Sequence, residues 1–388
     1  MSSLPQIKAK LTELAHHYGF QDARVSDVET GRYFEEFKQW VSEGNHGCMS
    51  YLERNQDLRQ FPDKLHPETC RVVSLRFDYL PEGAGFTQVL KDSNKANISR
   101  YALGRDYHKL IRKRLQRLAK DLCQQTQEFS YRVFVDSAPV LETSFAEKSG
   151  LGWKGKHTLT INESAGSWFF LGEIFINLPL EVDKPVENKC GQCTACINLC
   201  PTGAIVAPYK VDARKCISYL TIENSGPIPE ELRSAMGNRI YGCDDCQLAC
   251  PWNRYANISQ EKGFSAKHNL DKETLLNLFD WNEQQFNKRL EGNPIRRIGY
   301  QSWLRNIAIA LGNSKSSSQT IEALRNKKSD CSELVAEHID WAINQQLTQD
   351  NQSQRSEAFK KNTRLIRTIE KMLPISLNVL KPSKKIPG

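Results

Sequence analysis

Eight of the twelve cysteines lie between Cys190 and Cys250, and their spacing is typical of an iron–sulfur protein. Residues 190–201 read CGQCTACINLCP, a C-x2-C-x2-C-x3-C-P run. This run is the bacterial ferredoxin signature for a 4Fe-4S cluster, in which the fourth cysteine binds the other cluster of a pair. The first three thiolates can therefore surround one cubane, while the fourth reaches a second.

A second group of cysteines completes the two ligand sets. The segment CDDCQLACP supplies three, and Cys216 in VDARKCISYL adds the one that this segment lacks. The sequence predicts cluster I on Cys190, Cys193, Cys196 and Cys250, and cluster II on Cys200, Cys216, Cys243 and Cys246. The alternative is zinc, which CxxC pairs also bind. Three cysteines at two-residue gaps and two Cys-Pro ends fit zinc poorly.

The rest of the composition predicts a soluble cytoplasmic protein. The longest apolar stretch, Trp168 to Leu180, is interrupted by Glu173 and is too short for a membrane span. The N-terminus is charged and amphipathic and has no signal-peptide core. In a reducing compartment the four remaining cysteines are expected as free thiols; they are Cys48, Cys70, Cys123 and Cys331.

Positive charge is concentrated at the C-terminus. The chain of 388 residues has a net charge of +8, and residues 351–388 carry +7 of it, which leaves +1 for all the others. A basic tail favours an acidic partner such as nucleic acid, although the same pattern also suits a solvated helix face.

The elements that must position the cysteines follow from periodicity. Helices are predicted over Gln6–His17 and, strongly basic, over Tyr107–Gln127. Strands are predicted over Cys70–Leu80, Ser130–Ser137, His157–Asn162 and Ser167–Asn177. This mixture predicts an α/β or α+β class for the first domain.

Four segments follow from these patterns. We predict an α/β domain over 1–180, a ferredoxin-like domain over 181–255, a helical HEAT-like domain over 256–350 and a basic tail over 351–388. The helical patterns include Ser302–Asn313 and, within the tail, Glu357–Leu373, after which the Pro-containing end is expected to be disordered.

Motifs on both sides of the cysteines resemble one family. PVENKCGQCTACINLCPTGAI, DARKCISYLTIE, GNRIYGCDDCQLACPWN, SRYALGRDYHKLIR, FVDSAPVLE and AEKSGLGWKGKHTL together look like epoxyqueuosine reductase. The resemblance covers roughly residues 11–253 densely and the helical region more loosely. Similarity to this family, which is related to the reductive dehalogenases, implies a cobalamin domain that receives electrons from two 4Fe-4S clusters.

The resemblance also implies the reaction and the partners. Epoxyqueuosine at the wobble position of tRNA is reduced to queuosine, the last step of queuosine biosynthesis, with two electrons, two protons and loss of water. An external low-potential electron donor and a monomeric enzyme are expected. The D-x-H-x-x-G pattern of histidine-ligated cobalamin is absent, since Ile111 stands where the glycine would be.

Site residues are carried over by motif position. Asp136 in FVDSAPVLE matches the family's catalytic acid, and we expect burial against the corrin to raise its pKa toward neutrality. Further positions resemble those that line or approach cobalamin: Arg54, Ser99, Asp136, Thr160, Ser167, Leu171, Ser218, Gly242, Cys243, Asp244, Asp245 and Cys246. Lys154 and His157 are candidates for cobalamin or for phosphate, and each of these positions could also be simple packing.

Binding of tRNA needs basic side chains for phosphate. The candidates are the tail, Arg296, Arg297 and the basic helix with Lys109, Arg112, Lys113, Arg114, Arg117 and Lys120. Two other functions remain open at this point. One is a corrinoid and iron–sulfur reductase of a small molecule such as an organohalide, and the other is a non-enzymatic iron–sulfur electron carrier.

Overall fold

The computed structural model describes residues 2–348 and 357–373. Its strands are β1 (Asp22–Ser26), β2 (Arg71–Asp78), β3 (Asn97–Ile98), β4 (Tyr131–Phe134), β5 (Trp153–Lys154), β6 (Thr160–Ile161), β7 (Phe169–Ile176), β8 (Ile205–Ala207), β9 (Lys210–Val211) and β10 (Arg239–Tyr241). Its helices before the cysteine segment are α1 (Leu4–His17), α2 (Gly31–Ser42), α3 (Gln56–Gln60), α4 (Pro62–Leu65), α5 (Phe86–Lys91), α6 (Tyr107–Gln125) and α7 (Glu142–Lys148).

The later helices are α8 (Ala195–Leu199), α9 (Ile217–Ile222), α10 (Glu230–Met236), α11 (Asp245–Leu248), α12 (Leu275–Asp280), α13 (Glu283–Arg289), α14 (Gly299–Gly312), α15 (Ser318–Lys328), α16 (Glu333–Thr348) and α17 (Glu357–Met372). In the described ranges no helix combines the length and the apolar composition that a membrane crossing requires.

The N-terminal region is built on a four-stranded antiparallel sheet in the order β1-β2-β7-β4. Alternate side chains of each strand point to opposite faces, so the sheet has two apolar layers. One layer contains Leu75 and packs with Ile111 of α6, whereas the other contains Phe175 and packs with Phe145 of α7. The predicted mixture of helices and strands is confirmed.

The cysteine-rich segment is joined to this region by a parallel strand pair. β10 pairs with β3, with Arg239 opposite Asn97 and Tyr241 opposite Ile98. Directly after β10, the carboxylate of Asp244 accepts the Ser99 hydroxyl at 2.5 Å. These contacts hold the turn before α11 against the N-terminal region.

The region after the cysteines is helical, as predicted. α14 is buried along almost its whole length, because it packs against α10, α12, α16 and β10. Its one fully buried charge, Arg305, donates to the carbonyls of Leu220, Asn224 and Gly226. These bonds tie the helical region to the loop after α9. The HEAT-like character of these helices stays a prediction.

The basic helix predicted in the tail is present as α17, and one face of it is buried. Leu365 and Ile369 are fully buried, and the helix contacts α5, α8 and α11. At its N-terminal half, the Lys361 ammonium donates to the carbonyl of Cys200 at 3.0 Å. The helix is therefore packed beside the cysteine segment. The predicted disorder at residues 374–388 lies outside the described residues.

One predicted strand is mostly wrong. Of His157–Asn162, only Thr160 and Ile161 form a strand, as β6 paired with β5. The preceding residues turn, with Thr158 at a φ of +73°, and its N–H donates to the carbonyl of Gly155. β-branched composition predicted a strand here, but the chain is too tightly turned to continue one.

Candidate functional site

A main cavity of about 440 Å³ lies between the sheet and the cysteine segment. One wall comes from β7 and the turn before β6, and the other from α9 and the residues around Cys200 and Cys246. Asp136, at the end of β4, faces the same space. The cavity thus joins the predicted acid to half of the predicted cluster ligands.

The backbone of Asp136 is held in an unusual conformation. Its φ is +49°, in the left-handed region that residues other than glycine seldom adopt. Its N–H donates to Oε1 of Glu142 at 2.5 Å, which stabilises this turn. About half of the side chain, 54%, stays accessible from the cavity. The strain and the exposure mark Asp136 as a functional position rather than a packing one.

A network of polar side chains surrounds the Asp136 carboxylate. Tyr107 donates its hydroxyl to Oδ2, and Nε2 of His108 lies 3.0 Å from the same oxygen. On its other side, Nδ1 of His108 is 2.7 Å from Asp106, the N-cap residue of α6. Arg297 donates to the second oxygen of Asp106 at 2.8 Å. The imidazole is therefore held between two carboxylates.

This arrangement fixes the charges. Burial lowers the pKa of His108, but its hydrogen bonds to Asp106 and Asp136 outweigh that effect and raise it to about 9. Burial acts to raise the pKa of Asp136, but the hydrogen bonds from His108 and Tyr107 lower it below its ordinary value. The proton at neutral pH therefore resides on His108. The upward shift that we expect for Asp136 from burial against a corrin stays a prediction.

Tyr107 is fixed as a donor in this network. Its ring stacks on Phe170 with centroids 3.8 Å apart and on His108 at 4.0 Å. Burial, and then the nearby Asp136 carboxylate, raise its pKa well above 10. The phenol therefore keeps its proton and donates a hydrogen bond without ionising.

Most of the predicted cofactor-contact residues line the main cavity. Those that do are Ser99, Asp136, Thr160, Ser167, Leu171, Ser218, Cys243, Asp245 and Cys246. Arg54, Gly242 and Asp244 are not among its lining residues. Arg54 is exposed, and Asp244 is engaged with Ser99. A Cβ on Gly242 would lie 2.6 Å from that of Ser99, so this glycine permits the close approach.

Two buried polar atoms on the cavity wall have no hydrogen-bond partner. They are Oγ1 of Thr160 and Nε2 of His157. Nδ1 of His157 accepts the Leu159 N–H at 3.2 Å, so its Nε2 carries the proton of the neutral ring. Burial lowers the pKa of His157 to about 4. Unpartnered buried groups of this kind fit a bound ligand that has polar side arms. A corrin has such arms, which end in amides.

The cysteines sort into the two predicted sets. Cluster II's four cysteines line the main cavity, and the other four line a neighbouring cavity of about 230 Å³. In the described part of the chain, no three His, Cys, Asp or Glu side chains converge as a single-ion site would need. The thiols surround cavities instead, and their binding of clusters stays a prediction.

Burial governs the protonation of these thiols. Burial, followed by the neighbouring cysteines, raises the pKa of Cys196 to about 11, and burial raises that of Cys250 to about 12. Burial is also the main cause of the larger rise in the pKa values of Cys243 and Cys246. Such thiols stay protonated at neutral pH unless a nearby positive charge, such as that of a metal centre, compensates the thiolate. Four thiols around each cavity are the number of ligands that a 4Fe-4S cluster needs.

The predicted tRNA contacts divide by accessibility. On α6, Lys109, Arg112, Lys113, Arg117 and Lys120 are exposed, whereas Arg114 pairs with Glu261. Arg296 is exposed, and Arg297 stands at the His108 network. Lys154 pairs with Glu36 at 3.6 Å. Among these candidates, the exposed side chains, which include Arg297, are accessible to phosphate.

The sequence interpretation missed the residues around Asp136. Asp106, Tyr107 and His108 entered it only as a departure from the cobalamin pattern. Glu173 entered it only as an interruption of an apolar stretch, and Glu142 did not enter it. One signal was present: Glu173 stands in the middle of an otherwise apolar strand, where a charge is costly.

Comparisons with known proteins point to one family. Residues 59–137 match the family model described as "Epoxyqueuosine reductase QueG, DUF1730", and residues 189–253 match a "4Fe-4S double cluster binding domain". The chain is 53% identical to an epoxyqueuosine reductase of Aliivibrio fischeri over 93% of this chain and 95% of that one. It is 50% identical to that of Escherichia coli, over 96% and 98%.

Solved structures give the same result. A crystal structure of selenomethionine-labelled epoxyqueuosine reductase is similar with a TM-score of 0.79 and 25% identity, over 95% of this chain and all of that one. An epoxyqueuosine reductase with an epoxyqueuosine-modified tRNA-Tyr stem loop has the same fold, with a TM-score of 0.78 and 24% identity over the same coverage. By its similarity to curated relatives across nearly the whole chain, the protein belongs to the epoxyqueuosine reductase family.

Proposed function

We propose that the protein reduces epoxyqueuosine in tRNA to queuosine in the main cavity. The observation that carries this proposal is the cavity itself, which brings the Asp136 network and four cysteines to one space. In the reaction both C–O bonds of the epoxide break, a C=C bond forms, and two electrons and two protons turn the oxygen into water. The site must therefore supply electrons and protons together.

Electrons require the two cysteine sets. We propose that Cys190, Cys193, Cys196 and Cys250 hold one 4Fe-4S cluster and Cys200, Cys216, Cys243 and Cys246 the other. Support comes from the matched double-cluster family and from the sorting of the thiols into two cavities. Each cluster carries one electron at a time, so two clusters suit a two-electron reduction. The source is an external low-potential donor.

Cobalamin is the second cofactor that we propose. The main cavity shares Thr143, Thr158 and Val211 with an adjoining cavity of about 640 Å³, which adds room for a large cofactor. Thr160 and His157 offer the unpartnered polar atoms, and Leu171 and Phe170 the apolar wall. When bound, cobalamin supplies a low-potential cobalt centre that reduces the substrate.

Protons come from the chain. At neutral pH His108 is protonated, and its Nε2 lies 3.0 Å from Oδ2 of Asp136. We propose that Asp136 receives this proton as negative charge develops on the epoxide oxygen and passes it on as the general acid. Tyr107 and the Asp106–Arg297 pair position the two side chains for this transfer.

The substrate is a nucleotide in tRNA, which exposed basic groups can bind by its phosphates. The candidates are Arg296 and the exposed face of α6. We further propose that the protein acts as a monomer in the cytoplasm and that the helices of residues 256–350 form a HEAT-like unit.

One experiment tests the function. The protein is reconstituted anaerobically with iron, sulfide and cobalamin, supplied with a low-potential reductant, and incubated with tRNA that carries epoxyqueuosine. Nucleoside mass spectrometry should show conversion to queuosine. Intact clusters and bound corrinoid without conversion would contradict the proposal, and reduction of an organohalide instead would favour a small-molecule reductase.

A further inference from the structure

Two carboxyl groups lie behind Asp136, one fully buried and one partly buried. Glu173, on β7, has no exposed surface, and neither of its oxygens has a hydrogen-bond partner of ordinary geometry. Its nearest titratable neighbour is Glu142, the first residue of α7. Glu142 lines the main cavity and accepts the N–H of Asp136. The pair thus extends from the interior of the sheet to the reaction space.

The alternation of side chains along β7 determines the face of the sheet on which Glu173 lies. A Cβ on Gly172 would meet Leu115 of α6, so Gly172 faces that helix. Alternation then points Glu173 to the opposite face, where α7 packs. Across the sheet, its neighbours in register are Ser74 and Phe134, and the Ser74 hydroxyl is also unpartnered. Neither neighbour has a positive charge that could stabilise an ionised Glu173.

Charged groups on the surrounding elements are engaged elsewhere. Four cations form ion pairs with other carboxylates: Arg24 with Asp22, Arg76 with Asp78, Lys148 with Asp27 and Lys154 with Glu36. Two arginines donate to backbone carbonyls, Arg71 to that of Leu180 and Arg132 to that of Leu65. Glu147 lies near Arg32 and Lys154. The charges that act on the pair are therefore Asp136 and, more weakly, His108.

Two adjacent buried carboxyl groups cannot both ionise at low cost. Burial, and then the Asp136 carboxylate, raise the pKa of Glu142 to about 8. Burial and the adjacent Glu142 raise that of Glu173 well above its ordinary range. A neutral acid is therefore stored beside the site at physiological pH.

We propose that Glu142 and Glu173 hold at least one proton between them at neutral pH, and that Glu142 delivers a proton into the main cavity for the reduction. This inference rests on the proposed function. His108, through Asp136, supplies one of the two protons that leave as water, and Glu142 supplies the other. Glu173 acts through Glu142 and is a positioning residue. The pair then takes up a proton from solvent that enters the cavity.

The test uses the reconstituted holoenzyme and two isosteric variants, Glu142→Gln and Glu173→Gln. Infrared difference spectra without substrate should show the carbonyl absorption of a protonated carboxyl at pH 7, which is lost as the pH rises through about 8. Glu142→Gln should lack this titrating absorption. The amide introduced by this substitution still has an oxygen that can accept the Asp136 N–H, so the turn is preserved while the proton is removed.

Turnover gives the second measurement. Glu142→Gln should lower kcat about tenfold or more at pH 7, within the range of general acid catalysis. It should also remove the fall in rate that the wild type shows as the pH rises through about 8. A merely structural role would lower the rate without moving this pH profile. Glu173→Gln should shift the profile, and Glu163→Gln, an exposed residue paired with Lys189, is the control.

The outcomes separate the two proposals. Absence of a protonated-carboxyl absorption in the wild type overturns the inference even if tRNA is converted. An unchanged pH profile in Glu142→Gln overturns it as well. If the wild type converts no epoxyqueuosine, the proposed function fails, and the delivery of a proton fails with it, while the infrared titration still decides whether the pair holds one.

Discussion

At the scale of single residues, the site depends on where one proton is held. His108 lies between the carboxylates of Asp106 and Asp136. The Arg297 guanidinium lies 3.1 Å and 3.3 Å from its two ring nitrogens, so two positive side chains share the two carboxylates. Only 15% of its side chain is exposed, and solvent screens these interactions little. The network holds its proton on the imidazole, next to the Asp136 carboxylate that faces the cavity.

The charged state of His108 predicts a pH-dependent stability. Its pKa is raised from 6.5 to about 9, so its stabilising contribution is complete below pH 6.5 and is lost as the pH rises through 9. By the linkage relation this contribution is on the order of 3 kcal/mol. Urea unfolding at pH 6 and pH 9.5 should show His108→Gln destabilised mainly at pH 6. An equal loss at both pH values would contradict a charged His108.

Replacement of the acid gives a second prediction at this scale. Asp136→Asn should retain both cofactors, because the cysteines and the cavity wall are unchanged, yet lower kcat by about a hundredfold or more. Visible absorption measures the cofactors, and nucleoside mass spectrometry measures turnover. Ser137→Ala, at the next position, is the matched control. Near-normal turnover of Asp136→Asn would exclude its role as the acid.

At the scale of elements, α17 is strongly basic, yet one of its faces is buried. Its basic residues suggested a nucleic-acid tail or a solvated face, but Leu365 and Ile369 are buried against α5, α8 and α11. The Lys361 ammonium is engaged by the carbonyl of Cys200. The helix is therefore part of the packing around the cysteine segment, whatever its exposed face binds.

Removal of this packing should be measurable. Leu365→Ala deletes a fully buried side chain and should lower the free energy of unfolding by about 2–5 kcal/mol. Arg364→Ala, the exposed neighbour, should change it by less than about 0.5 kcal/mol. Urea unfolding monitored by circular dichroism compares the two. Equal stability of both variants would mean that α17 is not docked.

Periodicity predicted several of the longest elements, and its failures have physical causes. β2, β7 and α6 lie within their predicted ranges because each has a long regular pattern. His157–Asn162 failed because its β-branched residues occupy a tight turn with a positive φ at Thr158. The cysteine spacing indicated two sets, since the fourth cysteine of a C-x2-C-x2-C-x3-C-P run binds the other cluster of a pair. The contact between Asp136 and His108 joins residues 28 apart in sequence, and spacing alone carries no sign of it.

At the scale of the whole molecule, the positive charge is local. Outside residues 351–388 the chain carries only +1. Two oxidised clusters, each a 2+ core with four thiolates, would add −4 and make that body about −3. Attraction of tRNA must therefore come from patches such as the exposed face of α6 rather than from the net charge.

This distribution predicts a salt-dependent affinity. The double variant Lys113→Glu and Arg117→Glu should weaken tRNA binding and reduce the slope of log K against log salt by about one for each phosphate that is no longer neutralised. Filter binding at several salt concentrations measures both. The same change of charge at Arg325 and Arg289, in the C-terminal helices, is the control. An unchanged slope in the α6 variant would mean that other basic residues neutralise the phosphates.

The wall between the two cysteine-lined cavities contains His157, which lines both of them. Burial lowers its pKa to about 4, so its ring stays neutral at physiological pH. His157 therefore neither gains nor loses a proton when an electron passes between the two proposed clusters. On this basis we expect the rate of that internal transfer not to depend on the protonation of His157 at physiological pH.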